Sequence, residues 1–330
     1  MHGGKDPVSG RTIGLETGDP ARFATFEQLI TAFEKQLHHF INIKIAGNHI
    51  IESLYAEQMP APFLSLVIED CLEKGMDYNA GGARYNTNYI QGVGIGTITD
   101  CLSAIKKHIY DDKKYSWTEL ITALNNNFNG LETMRQFLVN KTPRYGNDDP
   151  YADTIMQDIF NRFHRAVDGR RTVRGGNYRI NMLPTTSHVY FGSVIGATPD
   201  GRKAKMPLSE GISPVQGADH RGPSAVIKSA AKMDHLKTGG TLLNLKFTPR
   251  ILAGEKGLNS LVHLIRSYFI LDGHHVQFNV IDAQTLIEAR KHPEQYRNLI
   301  VRVAGYSDYF NNLSEQLQDE IIARTAHETM

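Results

Sequence analysis

Cysteine is scarce in this sequence, with only Cys71 and Cys101 among 330 residues. Two thiols are too few for a disulfide scaffold, a four-cysteine zinc site or an iron–sulfur cluster held by this chain alone. Long apolar runs are also missing: none approaches the roughly 18–20 residues needed to cross a bilayer, and the polar start lacks a signal-peptide core. These absences predict a cytoplasmic protein without a membrane partner.

Charge of one sign is not in excess either. The 36 Lys and Arg residues balance 35 Asp and Glu, so the formal net charge is +1. Nucleic-acid binding depends on neutralising many phosphates with basic side chains, and this composition therefore predicts no nucleic-acid partner. With 41% hydrophobic and 22% charged residues, the chain is typical of a folded protein long enough for two or three domains or one large α/β domain.

Familiar catalytic and metal-binding motifs are absent: there is no G-x-S-x-G, H-E-x-x-H, C-x-x-C or Walker sequence. Two pairs of adjacent histidines, His38-His39 and His274-His275, are present. Adjacent side chains point to opposite faces of a strand and lie about 100° apart on a helix, so neither pair converges easily on one ion. No metal site is predicted.

Cys101 is the better nucleophile candidate of the two cysteines. It follows Asp100, which could act as a helix N-cap, and a thiol near a helix N-terminus has a lowered pKa. Cys71 lies in an apolar, helix-like segment. A buried structural role is the commoner outcome for both residues.

Helix caps organise the first half of the chain. The sequence predicts helices that begin at a Thr25–Gln28 capping box, at a Ser116–Glu119 capping box and at Asp149-Pro150. Between the first two lie the glycine-dense stretches 81–86 and 92–97. Their spacing fits neither a dinucleotide fingerprint nor a phosphate loop, so we interpret them as tight backbone packing or a loop that lines a site.

Strands alternate with helices after residue 170. Segment 171–223 is rich in Gly, Pro and Arg, which predicts loops and the best candidate boundary. Beyond it we expect strands at 241–247, 275–281 and 299–303, a helix near 257–270, and further helices that begin at Asp282 and Ser314. This order predicts a parallel sheet, either open or closed.

The segment 300–310 is a buried strand that runs into a loop with Gly305 and three aromatic residues. By pattern alone it is a strand-ending turn. However, Arg302–Ser307 followed by Phe310 resembles the signature loop of glycyl radical enzymes, and the resemblance covers essentially the whole chain. Further similar stretches are 198–202, 211–214, 232–235, 238–244 and 317–325, while 79–86, 90–100 and 183–186 are most similar to the trans-4-hydroxyproline dehydratase branch.

The resemblance implies a fold: the C-terminal part of a ten-stranded α/β barrel. Residues 1–200 would be the C-terminal part of a pyruvate formate-lyase-like domain and residues 201–330 a glycine radical domain. Gly305 would carry the radical as a post-translational modification, with no other cofactor and no metal bound. We expect Tyr306, Tyr309 and Phe310 to pack around the loop and bury it, and Thr185 and Thr186 to line the substrate pocket.

The same resemblance implies partners and an activity. A radical S-adenosylmethionine activating enzyme would install the radical, and an N-terminal half would supply the thiyl cysteine, because this chain lacks the branch's Gly-Cys-Val-Glu loop. The complete enzyme would be a homodimer. The chain would be the C-terminal portion of a radical dehydratase for a small hydroxylated substrate such as trans-4-hydroxyproline. The alternatives are a carbon–carbon lyase of the formate C-acetyltransferase type, a radical-bearing subunit, or an inactive fragment.

Overall fold

The structure is a computed structural model that describes residues 2–328. Several of its helices begin at residues whose side chains cap the helix N-terminus. Within that range the α-helices are α1 (Phe26–Gln58), α2 (Pro62–Val67), α3 (Cys71–Lys74), α4 (Ile95–Ile105), α5 (Trp117–Asn125), α6 (Glu132–Lys141), α7 (Pro150–Val167), α8 (Ser187–Val194), α9 (Pro223–Ala231), α10 (Gly254–Ile270), α11 (Ala283–Lys291) and α12 (Glu315–Ala323). A π-helical segment, Lys106–Asp111, continues α4.

The predicted helix starts are confirmed. Thr25 begins α1, and its hydroxyl accepts a hydrogen bond from the backbone N–H of Gln28 at 3.3 Å. Ser116 and Glu119 form a complete capping box before α5. Such caps satisfy backbone N–H groups that have no partner inside the helix, which is why they can be read from a few adjacent residues.

The chain forms two compact units, each built from two stretches of sequence. The first consists of Met1–Ile90 and Asn161–Ile180, and the second of Gln91–Phe160 and Asn181–Met330. The three dividing points fall within the strand β1 (Asn88–Gln91), the helix α7 and the strand β2 (Tyr178–Met182). In the first unit, α1 buries Ile30, Ile41 and Ile45, which recur at helical spacing.

The second unit contains the predicted parallel sheet. Its further strands are β3 (Thr238–Thr241), β4 (Asn244–Phe247), β5 (Gln277–Val280), β6 (Ile300–Arg302), β7 (Ser307–Tyr309) and β8 (Ala326–His327). β4 lies between β5 and β8 and is parallel to both. The register places Asn244 opposite Gln277 and Lys246 opposite Asn279.

Two strands differ from the prediction. The single strand expected at 241–247 is interrupted, because β3 ends at Thr241 and β4 begins at Asn244, and the two belong to separate sheets. The strand expected at 299–303 is β6, but it forms an antiparallel pair with β7 in a separate two-stranded sheet. The turn between them contains Gly305. A tight turn can join only antiparallel neighbours, whereas a parallel pair needs a long crossover. We call residues 300–309 the Gly305 hairpin.

The glycine-dense stretches serve close backbone packing, as interpreted from their spacing. A Cβ at Gly82 would lie 2.0 Å from the carbonyl oxygen of Met76, and one at Gly96 would lie 2.8 Å from that of Ser213. Neither approach leaves room for a side chain.

Candidate functional site

Gly305 forms the turn of the hairpin with a left-handed backbone, φ +85°. The Val303 N–H donates to the Tyr306 carbonyl at 2.9 Å across this turn. A Cβ built on Gly305 would lie 3.2 Å from Leu242 Cδ1. Both the backbone conformation and the nearby leucine therefore favour a residue without a side chain.

An apolar cluster lies under the hairpin. Its buried members include Leu242, Val301, Val303, Ala304 and Phe310, and helices α11 and α12 contribute Leu286, Ala289, Leu317 and Ile321. Alternation along β6 supplies the inward-facing residues. The hairpin is thus anchored on one face by hydrophobic contacts.

The expectation that three aromatic rings bury the loop is wrong in this structure. Phe310 is fully buried, but Tyr306 is 38% exposed, Tyr309 is 43% exposed, and Gly305 itself is exposed. The reason is geometric: Tyr309 stands on β7, the outer strand of a two-stranded hairpin, and Tyr306 stands in its turn.

Thr185 and Thr186 follow Leu183, which packs against the same apolar cluster. Thr185 is exposed and has φ +51°, unusual for a β-branched residue. Its hydroxyl donates to the carbonyl of Pro184 at 2.7 Å. Thr186 precedes α8, but its side chain makes no capping bond. Their role in lining a substrate pocket stays a prediction.

A buried ionic cluster supports the hairpin, and sequence reasoning missed it. Arg324 donates to both carboxylate oxygens of Glu320, with the shortest distance 2.8 Å from Nη2 to Oε2. His188 Nε2 lies 3.5 Å from Glu320, and all three side chains are buried. Arg324 Nη1 also donates to the Arg302 carbonyl at 3.4 Å, three residues before Gly305. The i, i+4 spacing of Glu320 and Arg324 was the available signal.

Cys101 does not occupy the helix N-terminus that its sequence context suggested. The N-cap of α4 is Gly94, so Cys101 lies in the second half of the helix. Its Sγ donates to Asp200 Oδ1 at 3.4 Å, and burial, together with the Asp200 charge, raises the pKa of this thiol. Asp100 instead accepts from Arg144 at 3.0 Å and from the Tyr145 N–H at 2.9 Å. These contacts make Cys101 a poor nucleophile in this environment.

We expect neither thiol to react with a disulfide reagent in the native protein, and both to react after unfolding. Cys71 is 2% exposed and Cys101 is 6% exposed. The reactive species is the thiolate, which burial disfavours at Cys101. Spectrophotometric thiol counting checks this, and the Cys71→Ser variant assigns any signal. Rapid native labelling that persists in Cys71→Ser would contradict the structural role of Cys101.

The histidine pairs do not converge on an ion site. His39 Nε2 is 3.1 Å from the Ile13 carbonyl, while His274 stacks on His235 with ring centroids 6.3 Å apart. Among residues 2–328, no group of three or more His, Cys, Asp or Glu side chains is arranged to hold a metal ion. Nor does any helix in that range have the length and apolar character to span a membrane.

Two family models match the sequence. One, described as "Pyruvate formate lyase-like", matches residues 1–192, and another, described as "Glycine radical", matches residues 208–311. The second range contains Gly305 and most of the apolar cluster under the hairpin, whereas His188, Glu320 and Arg324 lie outside it.

Curated relatives match over nearly the whole chain. Trans-4-hydroxy-L-proline dehydratase of Clostridioides difficile is 59% identical over 98% of this chain and 41% of its own length. Isethionate sulfite-lyase of Oleidesulfovibrio alaskensis is 42% identical over 96% of this chain and 39% of its own length. The chain therefore spans about two fifths of the length of these relatives.

Solved structures share the fold. Hydroxyproline dehydratase from Clostridioides difficile, with substrate bound, matches with a TM-score of 0.96 over 99% of this chain and 41% of that one. The B12-independent glycerol dehydratase from Clostridium butyricum is 42% identical and matches with a TM-score of 0.95, over 99% of this chain and 41% of that one. The predicted fold, the C-terminal part of an α/β barrel, is confirmed.

Proposed function

Because this chain belongs to the glycyl radical enzyme family, we propose that Gly305 carries the stored radical and that the chain is the C-terminal portion of a radical dehydratase. The observation that carries the proposal is the Gly305 turn itself. It combines a left-handed φ of +85° with a close approach to Leu242, within the segment that the glycine radical model matches.

The chemistry of a backbone radical requires glycine. Removal of a hydrogen atom flattens Cα, and the unpaired electron is delocalised between the adjacent amide nitrogen and carbonyl. A Cβ would crowd that planar centre, and here it would also meet Leu242 Cδ1. Glycine alone also tolerates the positive φ of this turn without strain.

Glycyl radical enzymes in general need an activating enzyme. We assign to this protein a partner that cleaves S-adenosylmethionine with one electron from an iron–sulfur cluster, giving methionine and a 5′-deoxyadenosyl radical. That radical takes one hydrogen atom from Gly305 Cα and leaves as 5′-deoxyadenosine. The exposed turn presents Gly305 to such a partner.

The substrate class we assign is a small hydroxylated molecule such as trans-4-hydroxyproline. The relative named for that substrate is 59% identical to this chain. Loss of the C4 hydroxyl as water gives a pyrroline carboxylate, and the reaction is redox-neutral, so the radical is regenerated in each cycle. Thr185 and Thr186 would contribute hydroxyl groups to the pocket.

The thiyl cysteine that relays the radical to substrate belongs, in this proposal, to a segment or chain outside these 330 residues. Cys71 and Cys101 are both buried, and the Cys101 thiol donates a hydrogen bond to Asp200 in the interior of the second unit. This observation also favours the second candidate function, a radical-bearing subunit that pairs with a thiyl-bearing chain. Adding the N-terminal three fifths of a relative and measuring dehydration separates an active pair from an inactive fragment.

Anaerobic incubation with an activating enzyme, S-adenosylmethionine and a reductant is expected to give a doublet in the electron paramagnetic resonance spectrum. Growth on Cα-deuterated glycine should collapse the doublet to a narrow singlet. Admission of oxygen should then cut the backbone at Gly305, and mass spectrometry should find a C-terminal piece that begins near residue 306. Absence of the doublet, or cleavage at another glycine, would refute the assignment.

A further inference from the structure

On one side, the Arg302 backbone is hydrogen-bonded to a side chain rather than to the backbone of a neighbouring strand. Asn279 Oδ1 on β5 accepts from the Arg302 N–H at 2.8 Å, and Asn279 Nδ2 donates to the Arg302 carbonyl at 2.8 Å. A carboxamide offers an acceptor and a donor like those of a peptide group. Asn279 therefore fills the place that a neighbouring strand would take beside β6.

Two further amides extend this contact. Gln277 Oε1 accepts from Arg302 Nε and Nη2 at 3.2 and 2.9 Å, and its Nε2 donates to Asn244 Oδ1. Asn244 Nδ2 then donates to the Val303 carbonyl at 3.4 Å. The parallel register of β4 and β5 sets Asn244 beside Gln277, and all three amides are buried. We call Asn244, Gln277 and Asn279 the amide clamp.

We propose that the amide clamp positions Gly305. It fixes Arg302 and Val303, and the turn that follows then holds the glycine Cα against Leu242. Buried amides without partners are unfavourable, so the clamp favours the docked hairpin over any displaced arrangement. The role of these residues in catalysis rests on the proposed function of Gly305, whereas their effect on the hairpin does not.

The clamp holds the hairpin through side chains and is separate from the backbone pairing of the strands. β6 pairs with β7, and the pairing of β4 with β5 and β8 does not depend on it. The hydrogen bonds of the clamp to the hairpin are therefore separate from the backbone hydrogen bonds of the parallel sheet. Asn279 is the member whose bonds are made directly to the β6 backbone at both the N–H and the carbonyl of one residue.

Hydrogen exchange of the unactivated protein, in its native assembly, tests the clamp without any radical. The Asn279→Leu variant keeps the approximate volume but removes both bonds. We expect exchange in residues 300–310 to accelerate about tenfold or more, with β4 and β5 unchanged. Gln284→Ala, which removes an exposed amide bonded to Glu288, is the matched control and should change neither region. Unchanged exchange in the hairpin, or equal acceleration throughout the sheet, would overturn the proposal.

The radical spectrum supplies a second readout that a merely stabilising residue would not alter. In activated Asn279→Leu we expect a broader doublet that decays several-fold faster than in the wild type. The Asn279→Asp variant retains the acceptor for the Arg302 N–H and perturbs the fold less than Asn279→Leu does. It should therefore restore part of the wild-type lineshape. An unaltered lineshape in both variants would overturn positioning. If the wild type gives no doublet, the proposed role of Gly305 as radical carrier is refuted. The hydrogen-exchange result still tests whether the clamp positions the hairpin.

Discussion

Replacement of Gly305 by alanine is expected to abolish the radical signal completely and to lower the free energy of unfolding by about 1–2 kcal/mol. The energetic cost has two sources: a side chain at φ +85°, and a Cβ that meets Leu242 Cδ1 at 3.2 Å. The spectroscopic loss has a separate cause, because a methyl group replaces one of the two Cα hydrogens of glycine and crowds the planar radical centre. Electron paramagnetic resonance and denaturant unfolding measure the two effects independently.

Gly254→Ala is the matched control. Gly254 also has a positive φ, +69°, but nothing lies within 4 Å of a Cβ built there. The variant should show a backbone cost of similar size while keeping the full doublet. A doublet that survives in Gly305→Ala would contradict the assignment of the radical, and loss of the doublet in Gly254→Ala would show that destabilisation alone removes it.

Features set by neighbouring residues could be predicted from the sequence. Thr25 and Ser116 begin helices because their hydroxyls accept from backbone N–H groups three residues later. Asp282 and Ser314 begin α11 and α12 in the same way. The order of strands and helices after residue 240 could also be predicted, since periodicity depends on local spacing.

Features set by distant partners could not be predicted in this way. Asp100 looked like an N-cap, but its carboxylate is engaged by Arg144 and Tyr145, more than forty positions further along the chain. The two-residue strand β8 carries no periodicity and exists because it pairs with Lys246 and Phe247 of β4. Strands this short have too few residues to show an alternation.

The candidate site also combines a residue that the sequence predicts with residues that only the fold reveals. Gly305 could be identified through a resemblance carried by consecutive residues, whereas the supports of its hairpin lie on other elements. Asn279 and Arg324 contact Arg302 from positions 23 residues before and 22 residues after it. A polar residue in a strand pattern indicates neither its partner nor its depth, so the amide clamp needed the fold to become visible.

Replacement of Glu320 by alanine is expected to lower the free energy of unfolding by about 3–5 kcal/mol, the range for removing one partner of a buried ion pair. Arg324 and Glu320 are both less than 10% exposed and make a bidentate contact, in which Nε donates to Oε1 at 3.1 Å and Nη2 donates to Oε2 at 2.8 Å. Without the carboxylate, Arg324 and the buried Lys246 ammonium would be left with less compensating charge. The Arg324 bond to the Arg302 carbonyl should also weaken, so the Gly305 hairpin should become more susceptible to proteolysis.

The pH dependence of this effect has a defined sign. Burial alone would raise the pKa of Glu320, but the charge of Arg324 and the nearby His188 outweigh it and hold that pKa well below its ordinary range. The carboxylate therefore contributes its stability above the unfolded pKa of about 4.3, and the contribution is lost as pH falls below that value. The difference between wild type and Glu320→Ala should accordingly be largest near neutral pH and shrink in acid.

Two variants separate the buried charge from the helix that carries it. Glu315→Ala removes an exposed carboxylate from the first turn of α12 and should cost no more than about 1 kcal/mol. Glu320→Leu combined with Arg324→Met removes both charges and should be less destabilising than Glu320→Ala, since no unpaired guanidinium remains. Denaturant unfolding at several pH values measures all three. A loss of less than about 1 kcal/mol in Glu320→Ala at neutral pH would mean that solvent compensates Arg324, and the ionic cluster would then not be what holds α12 against the hairpin.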